Sequence, residues 1–147
     1  MFVPQRNKPA LNDESGIPWV TMEDMRSKYV QSTRYFVNTQ AVRKAGSKIL
    51  KAGSVIASCV GNLGIASIVQ EEVVINQQIQ AFIPKRIISA EYLRELIVIS
   101  KSYFEKIGTA ATVTYVNQEG FENLPVLIPP KNEQSKIEKF IISECCT

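Results

Sequence analysis

No histidine occurs anywhere in the chain, and that absence removes more chemistry than any residue present adds. Ser-His-Asp and Cys-His nucleophilic systems, imidazole general bases and most catalytic zinc sites cannot be assembled without it. Cysteine is nearly as scarce. Cys59 lies in an apolar run and Cys145 and Cys146 are neighbours at the end, a spacing that makes neither a disulfide framework nor a zinc motif. Cys59 therefore reads as a small buried hydrophobe and the terminal pair as a frayed tail. Long apolar runs are missing too: stretches such as 73–75 and 97–99 are far short of the roughly 18 residues of a membrane span. Residues 1–6 lack the basic start, apolar stretch and cleavage site of a secretory signal, so a cytoplasmic protein with no membrane association is expected. No phosphate loop ends in Gly-Lys-Ser or Gly-Lys-Thr, and no dinucleotide glycine fingerprint follows a strand.

What is present suits one globular domain. The chain has 147 residues, 45% hydrophobic and 21% charged, and a chain of this size buries roughly 70% of its unfolded surface. The net charge of +3 hides an asymmetry. From residue 25 to 70 there is no acidic residue, while Arg26, Lys28, Arg34, Arg43, Lys44, Lys48 and Lys51 are all basic. The ordinary reading is a solvated face whose counter-charges arrive from elsewhere in the fold. The functional reading is a surface that neutralises nucleic-acid phosphates, with Tyr29, Thr33, Tyr35, Asn38, Thr39 and Gln40 interleaved as hydrogen-bonding groups.

The first 16 residues have the composition of an entry loop. Ile17-Pro18-Trp19-Val20 predicts an edge strand, because proline donates no ladder hydrogen bond, and Thr21 predicts the N-cap of a short helix or turn near 22–27. Residues 54–60 and 65–69 predict two strands around a tight Gly61-Asn62-Leu63-Gly64 turn. Residues 73–83 predict one long strand, with Val73, Ile75, Ile79, Ala81 and Ile83 on one face and Gln77 interrupting it. Ser89 predicts the N-cap of a helix carrying Tyr92, Leu93, Leu96, Ile97, Tyr103, Phe104 and Ile107 to a stop at Gly108. A small, hydroxyl-rich stretch over 109–115 and an extended segment over 121–128 follow. Asn132 predicts the cap of a last helix of about three turns, with Ile137, Phe140 and Ile141 on one face. The fold class expected is α+β: a twisted, mainly antiparallel sheet with a packed helix and a C-terminal helix.

In this order and spacing the motifs resemble a target recognition domain of a type I restriction-modification specificity subunit. The residues that carry the likeness are Gly16-Ile17-Pro18-Trp19-Val20-Thr21 with Asp24-Met25, Leu50-x-x-Gly53-Ser54-Val55 leading to Gly61-x-x-Gly64, and Asn76-Gln77. After the long helix come Lys106-Ile107-Gly108-Thr109-Ala110 and then Leu124-Pro125-Val126-Leu127-Ile128-Pro129-Pro130 with Glu133-Gln134-x-x-Ile137. The resemblance implies a DNA-sequence reader and not an enzyme: residues 1–131 as the recognition domain, and 132–147 as the start of a conserved spacer helix, truncated here. It implies no cofactor of its own, because methyl transfer and ATP-driven cleavage belong to partner subunits. The partners implied are double-stranded DNA, the methyltransferase and restriction subunits, and a second specificity chain or a homodimer mate.

Arginine pairs with guanine and Asn or Gln with adenine at major-groove edges, so Arg34, Tyr35, Asn38, Asn62 and Thr112 are the candidates for base contact. Arg43, Lys44, Lys48, Lys51, Lys106 and Thr109 are the candidates for phosphate or backbone contact. Trp19, Gly53, Gly61, Gly64, Asn76 and Gln77 read as scaffold, since a feature shared by readers of different sequences encodes none of them. A rival reading is an accessory module or fragment that binds a methyltransferase or another specificity subunit through Ile137, Phe140 and Ile141. An enzyme ranks behind both: Glu71-Glu72 and Asp13-Glu14 are adjacent pairs that project apart.

Overall fold

The computed structural model describes residues 9–110 and 112–145. The reading of residues 1–6 and that of Cys146 lie outside them. The class is α+β, with four antiparallel strand pairings and one parallel among the described residues. The strands are divided between two sheets and a hairpin. In the first sheet β1 (Ile17–Val20) is central, flanked by antiparallel β2 (Tyr35–Val37) and parallel β5 (Val74–Ile75). In the second, β3 (Val55–Ser58) lies between β4 (Ala66–Ile68) and β6 (Ile79–Phe82). Strands β7 (Thr109–Ala110) and β8 (Thr114–Tyr115) form the hairpin.

The strand expected at an edge is thus in the middle of its sheet. Pro18 is tolerated there because the pairing with β5 begins only at Trp19, so no neighbour on that side needs the missing N–H. Beyond β1 the expected turn is one 3₁₀ turn over Met22–Asp24, where the Asp24 carboxylate accepts the Thr21 backbone N–H at 2.8 Å and its hydroxyl at 2.9 Å.

Side-chain alternation sorts the core into layers. Trp19 and Val74 point to one side of the first sheet, where Val37 and Val42 of α1 (Thr39–Ala45) join them. Val20 and Ile75 point to the other side and meet Ile56, Ile79 and Ala81 of the second sheet. Val55, Ala57 and Ile68 leave the second sheet on its far face, toward Ile97 of α2 (Ala90–Ile99) and Phe104 of α3 (Lys101–Ile107). The order is helix, sheet, sheet, helices, and β3 is buried along its whole length.

Four sequence expectations are corrected by this arrangement. Residues 73–83 are not one strand: Asn76, Gln77 and Gln78 form a turn that carries the chain from β5 in the first sheet to β6 in the second. Gln77 consequently lies exposed on the turn, and the buried glutamine of this stretch is Gln80, whose amide donates to the Val116 carbonyl at 3.5 Å. The helix after Ser89 is two helices, because Ser100 returns its hydroxyl to the Leu96 carbonyl at 2.6 Å and its own carbonyl starts α3. The 121–128 segment opens inside a short helix, α4 (Gln118–Glu122), capped by Asn117 and burying Phe121. The last helix, α5 (Lys131–Cys145), starts one residue before Asn132, with the Pro130 carbonyl accepting from Glu133 and Gln134. The Ser89 cap is as expected, accepting from the Tyr92 N–H at 3.1 Å, and so is the antiparallel β3–β4 turn. No helix of the described residues is long and apolar enough to cross a membrane.

Helix α5 packs against α2, and Gln134 is its anchor. This side chain is fully buried; its oxygen accepts the Ser89 N–H at 2.9 Å and its amide donates to the Ile87 and Pro129 carbonyls at 2.7 and 2.8 Å. Glu138, one turn on, pairs with Lys28. Removing Gln134 leaves three backbone groups short of partners, at about 1–3 kcal/mol for each one that water cannot reach. Gln134→Ala should lower the thermal midpoint by roughly 5–12 °C, read by circular dichroism. A drop under about 2 °C would show that solvent replaces these bonds.

Cys59 is buried as expected, and its thiol is pushed up to about 11, by burial above all, against the opposing effect of hydrogen bonds from Gln80 and its own backbone. At pH 8 roughly one molecule in a thousand then carries the reactive thiolate. Alkylation of the Cys59 peptide, followed by mass spectrometry, should be negligible in the folded chain and complete in urea. Rapid native labelling would contradict this burial.

Candidate nucleic-acid interface

The candidate contact residues fall into three groups, each built by different elements. Arg34 is exposed at the start of β2 with its guanidinium 5.2 Å over the Tyr35 ring, and Tyr35 is half-buried opposite Trp19. Asn38 is exposed but N-caps α1, its side-chain oxygen accepting the Ala41 N–H at 2.6 Å, which leaves its amide N–H₂ for another partner. Arg43 and Lys44 stand exposed in the last turn of α1, the end at which a helix dipole favours cations. Gly46 ends that helix at φ 66°, a left-handed conformation that glycine adopts without penalty. This helix was not legible in the sequence, where its polar and basic residues read only as charge.

Lys48 and Lys51 belong to a second group. They line an open apolar groove of about 500 Å³ with Ile49, Ile83 and Pro84. The third group forms where the Gly61–Gly64 turn meets the β7–β8 hairpin. The Gly61 N–H donates to the Thr114 carbonyl at 2.7 Å and Val60 bridges Tyr115, which brings exposed Asn62 to the same end of the molecule as exposed Thr112. The Ser58 hydroxyl fixes the turn through the Asn62 carbonyl at 2.7 Å. At Gly64 a Cβ would stand 2.7 Å from the Cβ of Lys101, so the turn passes too close to α3 for any side chain. Thr109 is exposed on β7 of this hairpin and Lys106 on α3.

The basic stretch is partly neutralised. Among the described residues the ion pairs take Lys28 with Glu138, Arg94 with Glu95 and Lys101 with Glu105. Arg34, Arg43, Lys44, Lys51 and Lys106 have no carboxylate within pairing distance among them. Tyr29 in the same stretch gives its hydroxyl to Glu91 at 3.1 Å; burial first, then the Glu91 carboxylate, raises its pKa and keeps it a neutral donor.

The crossover turn opens onto a cleft of about 300 Å³ lined by Trp19, Thr21, Tyr35, Asn76, Gln77 and Gln78 among others. Asn76 is a scaffold residue, as read from the sequence: its side-chain oxygen accepts the Gln78 N–H at 3.0 Å and closes the turn. Gln77 and Gln78 are exposed, and the signal in the sequence that points to Gln78 is the polar Asn-Gln-Gln run between apolar strands, which marks a turn.

Known proteins share this arrangement. The model of the family described as type I restriction modification DNA specificity domain matches residues 3–142. The specificity subunit of the Escherichia coli type I restriction enzyme EcoR124I/EcoR124II is 22% identical over 144 residues, covering 94% of this chain and 36% of that protein. A solved structure from work on complex assembly and conformational transition of the type I R-M system superposes with a TM-score of 0.73 at 16% identity, covering 96% of this chain and 35% of the other. The HsdS subunit from Thermoanaerobacter tengcongensis gives 0.73 at 15% identity, with 97% and 34% covered. At these identities the structural likeness is one of fold, and the chain spans about a third of the length of the relatives it matches. Since the family model covers residues 3–142, nearly the whole chain, the protein belongs to the type I restriction-modification DNA specificity domain family.

Proposed function

We propose that this chain reads one half of a split double-stranded DNA site, and that catalysis on that DNA belongs to methyltransferase and restriction subunits. The observation that carries the reading is the family match over nearly the whole chain. The exposed cations without carboxylate partners support it, because phosphate contact is the sequence-independent part of DNA affinity. Arg43, Lys44, Lys48, Lys51 and Lys106 take phosphates, with Thr109 as a backbone contact. Arg34, Tyr35, Asn62, Thr112 and the free amide of Asn38 face bases. Residues 1–131 do the reading and 132–147 begin the spacer helix.

The partner surface lies on α5. Gln134, Glu138 and Ile141 recur at i, i+4 and i+7 on the inward stripe, so Ile141 is half-buried while Ile137 and Phe140 are exposed beside it. Phe140 is 64% exposed, an apolar ring on a charged helix, and this favours a protein partner, either a methyltransferase subunit or a second specificity chain. Cytoplasmic residence follows from the same reading.

Two measurements test these assignments. Arg43→Glu with Lys44→Glu should lower affinity for all duplexes alike, and should reduce the slope of log affinity against log salt by about 2 in a fluorescence anisotropy titration. Unchanged binding would remove α1 from the DNA surface. Phe140→Glu should abolish capture of the methyltransferase subunit while leaving DNA affinity as it was; retained capture would place the partner surface elsewhere.

A further inference from the structure

We propose that the crossover turn carries an A·T-reading subsite, in which the Gln78 amide reads an adenine edge and Tyr35 across the cleft meets the methyl group of the paired thymine. The inference rests on the reading of the chain as a DNA reader and adds a residue-level specificity to it. The turn separates backbone from side chain in an unusual way. The Gln78 N–H is held by Asn76 at 3.0 Å and its carbonyl accepts the Cys59 N–H at 3.0 Å, while the Gln77 carbonyl faces the Cys59 thiol at 3.9 Å. The turn is therefore pinned to the buried end of β3. Both glutamine side chains are nevertheless exposed, and neither amide makes a hydrogen bond among the described residues.

A carboxamide on a fixed backbone presents one donor and one acceptor side by side, which matches adenine N7 and N6–H₂ in the major groove. Pinning reduces the freedom such a contact must remove. The opposite wall suits the other half of the base pair. Tyr35 offers a half-buried ring, and a thymine methyl is read by apolar contact. Among the described residues that line the cleft there is no carboxylate, the side chain that pairs with cytosine N4–H₂.

The test is selection from a randomised duplex pool with the full chain and with Gln78→Glu, an isosteric change that keeps the turn. The unaltered chain should enrich a motif containing an A·T pair, and Gln78→Glu should shift the preference at that position from adenine toward cytosine by about tenfold or more. Placing 7-deazaadenine there, which lacks the N7 acceptor, should cost the unaltered chain about tenfold and leave Gln78→Ala indifferent. One motif enriched unchanged by both proteins overturns the subsite alone. No motif with the unaltered chain overturns the reading of the chain as a DNA reader, and the subsite with it.

Discussion

Burial of β3 on both faces is the constraint around which the molecule is arranged. Ile56 points into the core between the sheets, and Val55 and Ala57 point into the core beneath α2 and α3. A strand with no wet face needs a layer on each side, so the first sheet must cover one face and the helices the other. The first sheet then has its own outer face to protect, and α1 does that through Val42. A seven-residue helix that looks like a local accident of the basic segment is in this sense the last cover of the stack.

The same layering decides where polar groups can stand. Segments that change layer must leave the core, and the Asn76 turn between sheets and the 47–54 loop that follows α1 emerge at its edges, as does the Gly61–Gly64 turn within the second sheet. Exposed Gln77 and Gln78, Asn62, and Lys48 and Lys51 stand on these segments. The stiff part of the fold and the chemically available part are thus adjacent along the chain, often within three residues, as with buried Cys59 and exposed Asn62.

Much of the class was legible in the sequence, and the errors have a common origin. Ser89, the strands about Gly61 and Gly64, and the apolar stripe of α2 carry strong local signals, and all are where their residues placed them. Alternation failed for residues 73–83 because a two-residue strand buried on both faces has no polar side to reveal its period, and because apolar residues resumed after three polar ones as if nothing had changed. Pro18 misled because its rule concerns one hydrogen bond, and β5 happens to be too short to ask for it. The basic groups were visible as charge but not as separate patches, since their grouping depends on which loops meet, as Asn62 and Thr112 do through Gly61 and Thr114. Gln134 was seen as part of a motif; that it is the buried anchor of α5 depends on backbone groups at 87, 89 and 129 that no local pattern brings together.

Residues 123–130 cross from α4 to α5 with no regular structure, and two tyrosine hydroxyls hold them: Tyr103 to the Asn123 carbonyl at 3.2 Å and Tyr92 to the Leu127 carbonyl at 2.9 Å. Leu127 itself is 84% exposed. The peptide chain is therefore not what chiefly holds α5 in place; Gln134 and the Lys28–Glu138 pair do that across space. This strap is a natural seam in the molecule, the place where the backbone could be opened, or lengthened by inserted residues, while helix and sheets stay docked as two pieces of one body.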